Sequence, residues 1–170
     1  MEVYEAIHTR RSIRKYTRQQ VSPEIVDKVL RAAMAAPSAA NRQQWCFLVI
    51  NDRAILDETA KVVPPFTMLK EATLGILVCG DLTKVNPGST IFVQSCSAAV
   101  QNILLAAHAS GLGAVWLGVH PLPDRVDALK KQFSLPDTVA PFAFVSIGHP
   151  AEQKPPEDRY QAAAVHLNKW

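Results

Sequence analysis

Three guanidinium groups and a hydroxyl fall within five positions near the start of the chain, at Arg10, Arg11, Ser12 and Arg14. Forked arginine donors hold phosphate by charge-assisted hydrogen bonds, and a serine hydroxyl adds another donor. Taken alone, the run equally fits a solvated basic face or a nucleic-acid patch. A net charge of only +3 at pH 7 argues against the last, since a broad nucleic-acid footprint needs a larger excess of positive charge. A second loop, Pro37 to Gln44, presents Ser38, Ala39, Asn41 and Gln43. Short polar residues here either aim side chains and amides at a ligand or simply connect a helix to a strand. Gln43 can donate and accept at once, which suits the alternating donor and acceptor edge of a heterocyclic ring. A third stretch runs Gly111-Leu112-Gly113-Ala114-Val115-Trp116-Leu117-Gly118. Trp116 stands where a dinucleotide fingerprint would need its third glycine, so this is not a Rossmann loop. Gly118 either lets bare backbone approach a flat ligand or merely ends a core strand. Arg159, far along the chain, either closes on the same phosphate or faces water.

The chain carries no Gly-x-Ser-x-Gly elbow and no Gly-x-x-x-x-Gly-Lys loop, which removes the common acyl-transfer and nucleotide-triphosphate designs. Cys46, Cys79 and Cys96 are scattered through apolar stretches and read as buried free thiols rather than a disulfide framework or a zinc site. None of the five histidines pairs with another at helical i,i+4 spacing, so no metal site is expected. Phosphate-binding potential without an evident acid, base or nucleophile is the profile of a protein whose cofactor carries the reaction.

Short elements must position these groups. A brief first helix should turn Val3, Ile7, Tyr4 and Ala6 inward. Ser22 as N-cap, Pro23 at the first helical position and Ile25, Val29, Ala32, Ala33 and Ala36 predict a second helix, ended by Pro37. Trp45 to Ile50 and Leu74 to Cys79 read as buried strands, with a helix near Arg53 to Val62 between them. Phe92 to Ser110 predicts a helix buried nearly all round, Gly113 to Gly118 a strand, Asp124 to Phe133 a helix, and Phe142 to Ile147 a last strand opened by Pro141. A proline-rich tail, Gln153-Lys154-Pro155-Pro156, should reach away from its own core. No repeat or linker divides residues 1–170, so one domain is expected, with 151–170 as its tail. No apolar run reaches the length of a membrane helix, and the start lacks the build of a signal peptide, which together predict a cytoplasmic protein without a membrane partner.

The blocks Arg-Arg-Ser-Ile-Arg-Lys-Tyr, Ala-Pro-Ser-Ala-Ala-Asn-Arg-Gln-Gln-Trp and Gly-Leu-Gly-Ala-Val-Trp-Leu-Gly, in this order and joined by an alanine-rich segment from Gln94 to Ala107, resemble the FMN-dependent nitroreductase family. The resemblance implies an α+β fold with a central mixed β-sheet flanked by helices, an intertwined homodimer, and FMN at the subunit interface. It places Arg10, Ser12 and Arg159 on the phosphate, and Arg11 and Arg14 on the ribityl chain or pyrimidine edge. Ser38, Ala39 and Asn41 would come from the partner subunit, and Pro37 and Gln43 in the same loop would also contact the cofactor. Gly118 is the residue whose N–H would face flavin N5, flanked by Trp116 and Leu117. Two departures stand out. Gln44 occupies a position where many relatives have proline, and the segment Pro64 to Lys70 lacks the amide that larger members place near the flavin. The activity implied is transfer of hydride from NADH or NADPH to FMN, then reduction of a small flat aromatic acceptor, a nitroaromatic or quinone, in ping-pong order. Alternatives are a specialised relative (a dehalogenase, dehydrogenase or flavin-fragmenting enzyme) or a flavin-binding and delivery protein with little turnover.

Overall fold

The computed structural model describes all 170 residues. Helix α1 spans Val3–Thr9, α2 Pro23–Met34, β1 Trp45–Ile50, α3 Arg53–Val62, β2 Leu74–Asp81, α4 Phe92–Ala109, β3 Gly113–Gly118, α5 Pro123–Gln132 and β4 Val139–Gly148. The strands form one antiparallel sheet in the order β1-β2-β4-β3. The mixed character expected of the sheet is confined to one parallel bridge, Ser12 with Ala114, on the outer edge of β3.

Side chains alternate across a strand, and β2 uses both faces. Leu74, Ile76 and Val78 join Val29, Ala33, Cys96, Val100 and Ile103 under α2 and α4. Leu77 and Cys79 join Leu56, Phe66, Leu69, Leu129 and Phe144 under α3 and α5. Covered on both sides, β2 is buried along nearly its whole length, which is why it reads as a continuous apolar run. Helix α4 is likewise the central helix: only Gln94, Gln101 and Ala109 on it are exposed.

Strand β4 extends past its expected start at Phe142 to Val139, with Pro141 inside it. Proline has no N–H for a ladder, and the register shifts opposite it, between Val78 and Cys79, so a bulge absorbs the misfit. Asp52, whose carboxylate accepts from the N–H groups of Ala54 and Ile55, caps α3. Ser22 precedes α2 but makes no side-chain cap bond; Pro23 opens the helix. Helix α1 departs from expectation: Ala6 is buried, whereas Val3, Tyr4 and Ile7 are exposed. The cysteines are unpaired, Cys79 and Cys96 buried and Cys46 half-buried; burial pushes the Cys96 thiol up to about 12. No helix is long and apolar enough to cross a membrane.

Candidate flavin site

Immediately after α1 the chain becomes extended and lies along the edge of the sheet. Two buried anchors hold it there, Ile13 and Tyr16. The Ile13 N–H donates to the carbonyl of Ala114 (3.1 Å). The Tyr16 hydroxyl donates to the carbonyl of Ile13 (2.6 Å) and accepts from the Ser146 hydroxyl (3.1 Å). Burial raises the Tyr16 phenol well above its ordinary value, so it remains a donor. Glycine is required where this segment touches the sheet: a Cβ at Gly113 would sit 2.6 Å from Ile13, and one at Gly148 would sit 3.0 Å from the Tyr16 ring.

Between these anchors and the end of α1, the arginines face outward. Arg10, Arg11, Ser12 and Arg14 line a cavity of about 390 Å³ together with Lys154, Pro155, Glu157 and Arg159. Five cations surround one carboxylate. Burial, then the nearby charges of Arg11 and Arg159, lower the pKa of Arg10, the signature of positive charge lacking sufficient counter-charge. A phosphate dianion fits this donor set, with Ser12 as a neutral donor.

The tail runs back along the same segment. Ala151 N–H donates to Lys15 O (2.9 Å), Arg14 N–H to the Glu152 carboxylate (2.7 Å), and Lys154 Nζ to Ser12 O (2.7 Å). Arg11 spends its guanidinium on backbone carbonyls, with Nε on Pro155 (2.8 Å), Nη1 on Arg10 (2.7 Å) and His8 (3.1 Å), and Nη2 on Glu157 (3.4 Å). In this structure Arg11 therefore holds the returning tail while also lining the cavity. Arg159 in turn is gripped by Glu157 at 2.8 and 3.0 Å.

Strand β3 leads away from this cavity. Because Ala114 O accepts from Ile13 on the outer edge, the alternation of an antiparallel ladder turns the N–H and C=O of Trp116 and Gly118 outward as well. The Gly118 N–H thus faces the free edge, and a Cβ on Gly118 would meet nothing within 4 Å. That glycine answers no packing need inside the chain; it leaves open space beside a backbone donor, the kind of cradle a flat ring needs. Trp116 packs edge-on against Phe142 at 5.6 Å, and Leu117 is buried among the side chains beneath α5. Leu117 can line a ring site with backbone alone.

The loop Pro37 to Gln44 is not brought to this cavity. It feeds β1, at the opposite edge of the sheet, three strand spacings or about 14 Å across. The loop is strained: Ala40, Asn41 and Gln43 have φ of 51°, 52° and 51°, a region that costs non-glycine residues energy and persists where surroundings enforce it. The Ser38 hydroxyl accepts from the Gln43 N–H (2.9 Å) and Asn41 Oδ1 from the Gln43 amide (3.4 Å). The peptide groups flanking Ala39 are gripped from two sides, its N–H by Ser95 Oγ (3.3 Å) and its C=O by the Gln44 amide (3.3 Å). Gln44 is fully buried, so the residue that replaces a proline is the loop's internal clamp.

A model of the Nitroreductase family matches residues 7–66 and 64–149. The chain belongs to the nitroreductase family. A protein of Methanothermobacter thermautotrophicus, provisionally described as an NADH dehydrogenase/NAD(P)H nitroreductase, is 48% identical over 172 residues, spanning 100% of this chain and 88% of that one. A protein of Parabacteroides distasonis with the same provisional description has a crystal structure that superposes with a TM-score of 0.93 at 42% identity, covering 98% of each chain. A provisionally described nitroreductase of Desulfovibrio desulfuricans, solved in complex with FMN, superposes with a TM-score of 0.86 at 34% identity, over 100% of this chain and 98% of that one.

Sequence reasoning missed Lys154, read only as part of a proline-rich tail, and Arg125, whose Nη1 donates to Gly118 O at 2.6 Å. Lys154 was findable once the tail was expected to return to the arginine segment. Arg125 sits on α5 in no motif, and only the fold reveals it.

Proposed function

We propose that this nitroreductase-family chain is an FMN-dependent NAD(P)H oxidoreductase acting as a cytoplasmic homodimer on nitroaromatic, quinone or similar flat acceptors. The observation that carries this reading is the juxtaposition on one sheet edge of a phosphate-sized cluster of cations and, farther along β3, an outward N–H beside open space at Gly118. Arg10, Ser12, Lys154 and Arg159 would hold the phosphate, Arg14 would lie toward the pyrimidine edge, and the Gly118 N–H would face N5. FMN, when bound, supplies the redox chemistry, taking hydride from NAD(P)H and reducing the acceptor in a second step.

The homodimer follows from what one chain leaves incomplete. Ser38, Ala39 and Asn41 sit at the far edge of the sheet, so they reach such a site only from a second copy. Strand β1 is an apolar edge strand with Val49 exposed, and the tail leaves Tyr160, Leu167 and Trp170 at 74%, 85% and 101% exposure. Unpaired apolar edges and free aromatic residues of this kind call for a covering partner. Residues 151–170 were expected to cross as a whole, but 151–159 lie back on their own arginine segment; the stretch after Arg159 would supply the cover, as the tail of a single domain crossing to the other subunit.

Purified protein should be yellow, release FMN on denaturation, and be bleached by NADH or NADPH in an anaerobic stopped-flow before any acceptor is added, giving ping-pong kinetics. A colourless protein that takes up no FMN refutes the cofactor. Bleaching that waits for an acceptor refutes the ping-pong order.

A further inference from the structure

Arg125 is the third residue of α5 and lies half-buried between two groups. Its Nη1 donates to the carbonyl of Gly118 at 2.6 Å, and its Cζ stands 5.6 Å from the centroid of the buried Phe66 ring. These contacts fix the guanidinium beside the end of β3 without neutralising it. No carboxylate lies within 4.0 Å of it, whereas Arg53, the other half-buried arginine outside the phosphate cavity, pairs with Asp57 at 3.0 Å. Its Nε and Nη2 have no partner, yet neither is sealed from solvent. They are therefore available donors.

This position is distinct from the phosphate cavity. Ser12 bridges Ala114 near the start of β3, whereas Arg125 holds Gly118 four residues on, about 13 Å along the strand. The space at Gly118 is open to 4 Å. A half-desolvated guanidinium without a counter-ion is costly until an anion meets it, and its planar fork matches a carboxylate in two-point contact.

We propose that Arg125 is a specificity residue for the electron acceptor, selecting flat aromatic acceptors that carry an anionic group such as a carboxylate. Nη1 keeps the side chain at Gly118 while Nε and Nη2 meet the anion. This rests on the functional reading above, since it takes the space at Gly118 as the place where acceptors bind.

The test compares 4-nitrobenzoate with 4-nitrobenzyl alcohol, which share the ring and reducible group but differ in charge. In a ping-pong reaction kcat/KM for the acceptor excludes the donor's step, so any general loss from a substitution cancels in the ratio of the two. The parent protein should favour the benzoate, and Arg125→Gln should lower that ratio about tenfold, the value of one charge-assisted contact at a partly exposed site. Arg125→Lys, which keeps the charge and loses the fork, should retain part of the preference, and raised salt should shrink it. Benzoate lacking the nitro group should perturb the absorbance of the bound flavin, with affinity falling in parallel in Arg125→Gln. A ratio and a benzoate affinity both unmoved by Arg125→Gln overturn the proposal. If neither nitro compound turns over while benzoate affinity still falls in Arg125→Gln, the assigned activity fails and Arg125 stands as an anion-selecting residue.

Discussion

Arg10 and Arg159 should not contribute equally to holding a flavin phosphate. A charge-assisted hydrogen bond contributes about 1.5 to 3 kcal/mol. Arg10 is half-buried and its charge is pressed by Arg11 and Arg159, so Arg10→Ala belongs at the upper end, about 2 to 3 kcal/mol, or roughly thirty- to 150-fold in FMN affinity. The Arg159 side chain is 70% exposed and already engaged by Glu157. Screening and the need to break that pair reduce its share to about 1 to 1.4 kcal/mol, or about five- to tenfold. Removing the competing carboxylate with Glu157→Gln should tighten FMN about two- to fivefold. The assay is fluorescence titration of the flavin-free protein with FMN and, in parallel, with riboflavin, which lacks the phosphate. Riboflavin affinity should barely respond to any of the three changes. Equal losses for both flavins, or a larger loss at Arg159 than at Arg10, would refute the assignment of this cavity to the phosphate.

Other expectations follow from the same geometry. Deleting residues 152–170 removes Lys154 and Arg159 together with the exposed tail, and sedimentation should show a monomer that retains little FMN. Gly118→Ala should leave thermal stability unchanged, because its Cβ meets nothing within 4 Å, while weakening flavin binding; Gly113→Ala, whose Cβ would lie 2.6 Å from Ile13, should lower the melting temperature as well. Tyr16→Phe strips the donor from the Ile13 carbonyl and should cost about 1 to 3 kcal/mol in chemical denaturation. The bond from the Arg14 N–H, followed by Lys154, holds the Glu152 carboxyl below its ordinary value. Its grip on the tail is complete above the unfolded carboxylate pKa and lost as pH falls through the lowered folded one, so flavin release measured against pH should begin at higher pH in the parent than in a Glu152→Gln variant normalised to its own neutral value, whose weaker grip does not titrate.

Much of the scaffold was legible because its signals are local. Strands β1 and β3 and helix α3 have the bounds read from apolar runs and turn residues, since nothing in the tertiary structure overrides those signals. Strand β4 ran longer than expected because a bulge, invisible in one strand's sequence, accommodates Pro141 against β2. The inward orientation expected of Val3, Tyr4 and Ile7 was wrong for an isolated chain because amphipathic spacing tells which residues want cover but not what covers them. The arginine cluster was legible as a cluster, yet its division of labour was not: Arg11 and Arg10 are adjacent and chemically identical, and only the returning tail makes one a clamp and leaves the other free.

The same limit explains why Arg125 escaped notice while Gly118 did not. A glycine at a strand end is informative by itself, because a missing Cβ either relieves a clash or leaves room, and the structure shows it leaves room. An arginine in the first turn of a helix is ordinary until its neighbours are known. What makes this one unusual is the absence of a carboxylate partner combined with a hydrogen bond to the glycine's own carbonyl and a buried ring alongside. A backbone donor at Gly118 would serve every acceptor alike, whereas a side chain that discriminates among acceptors would not. A residue that sets which acceptor is used is therefore expected outside the motifs that identify the cofactor, which is where Arg125 lies.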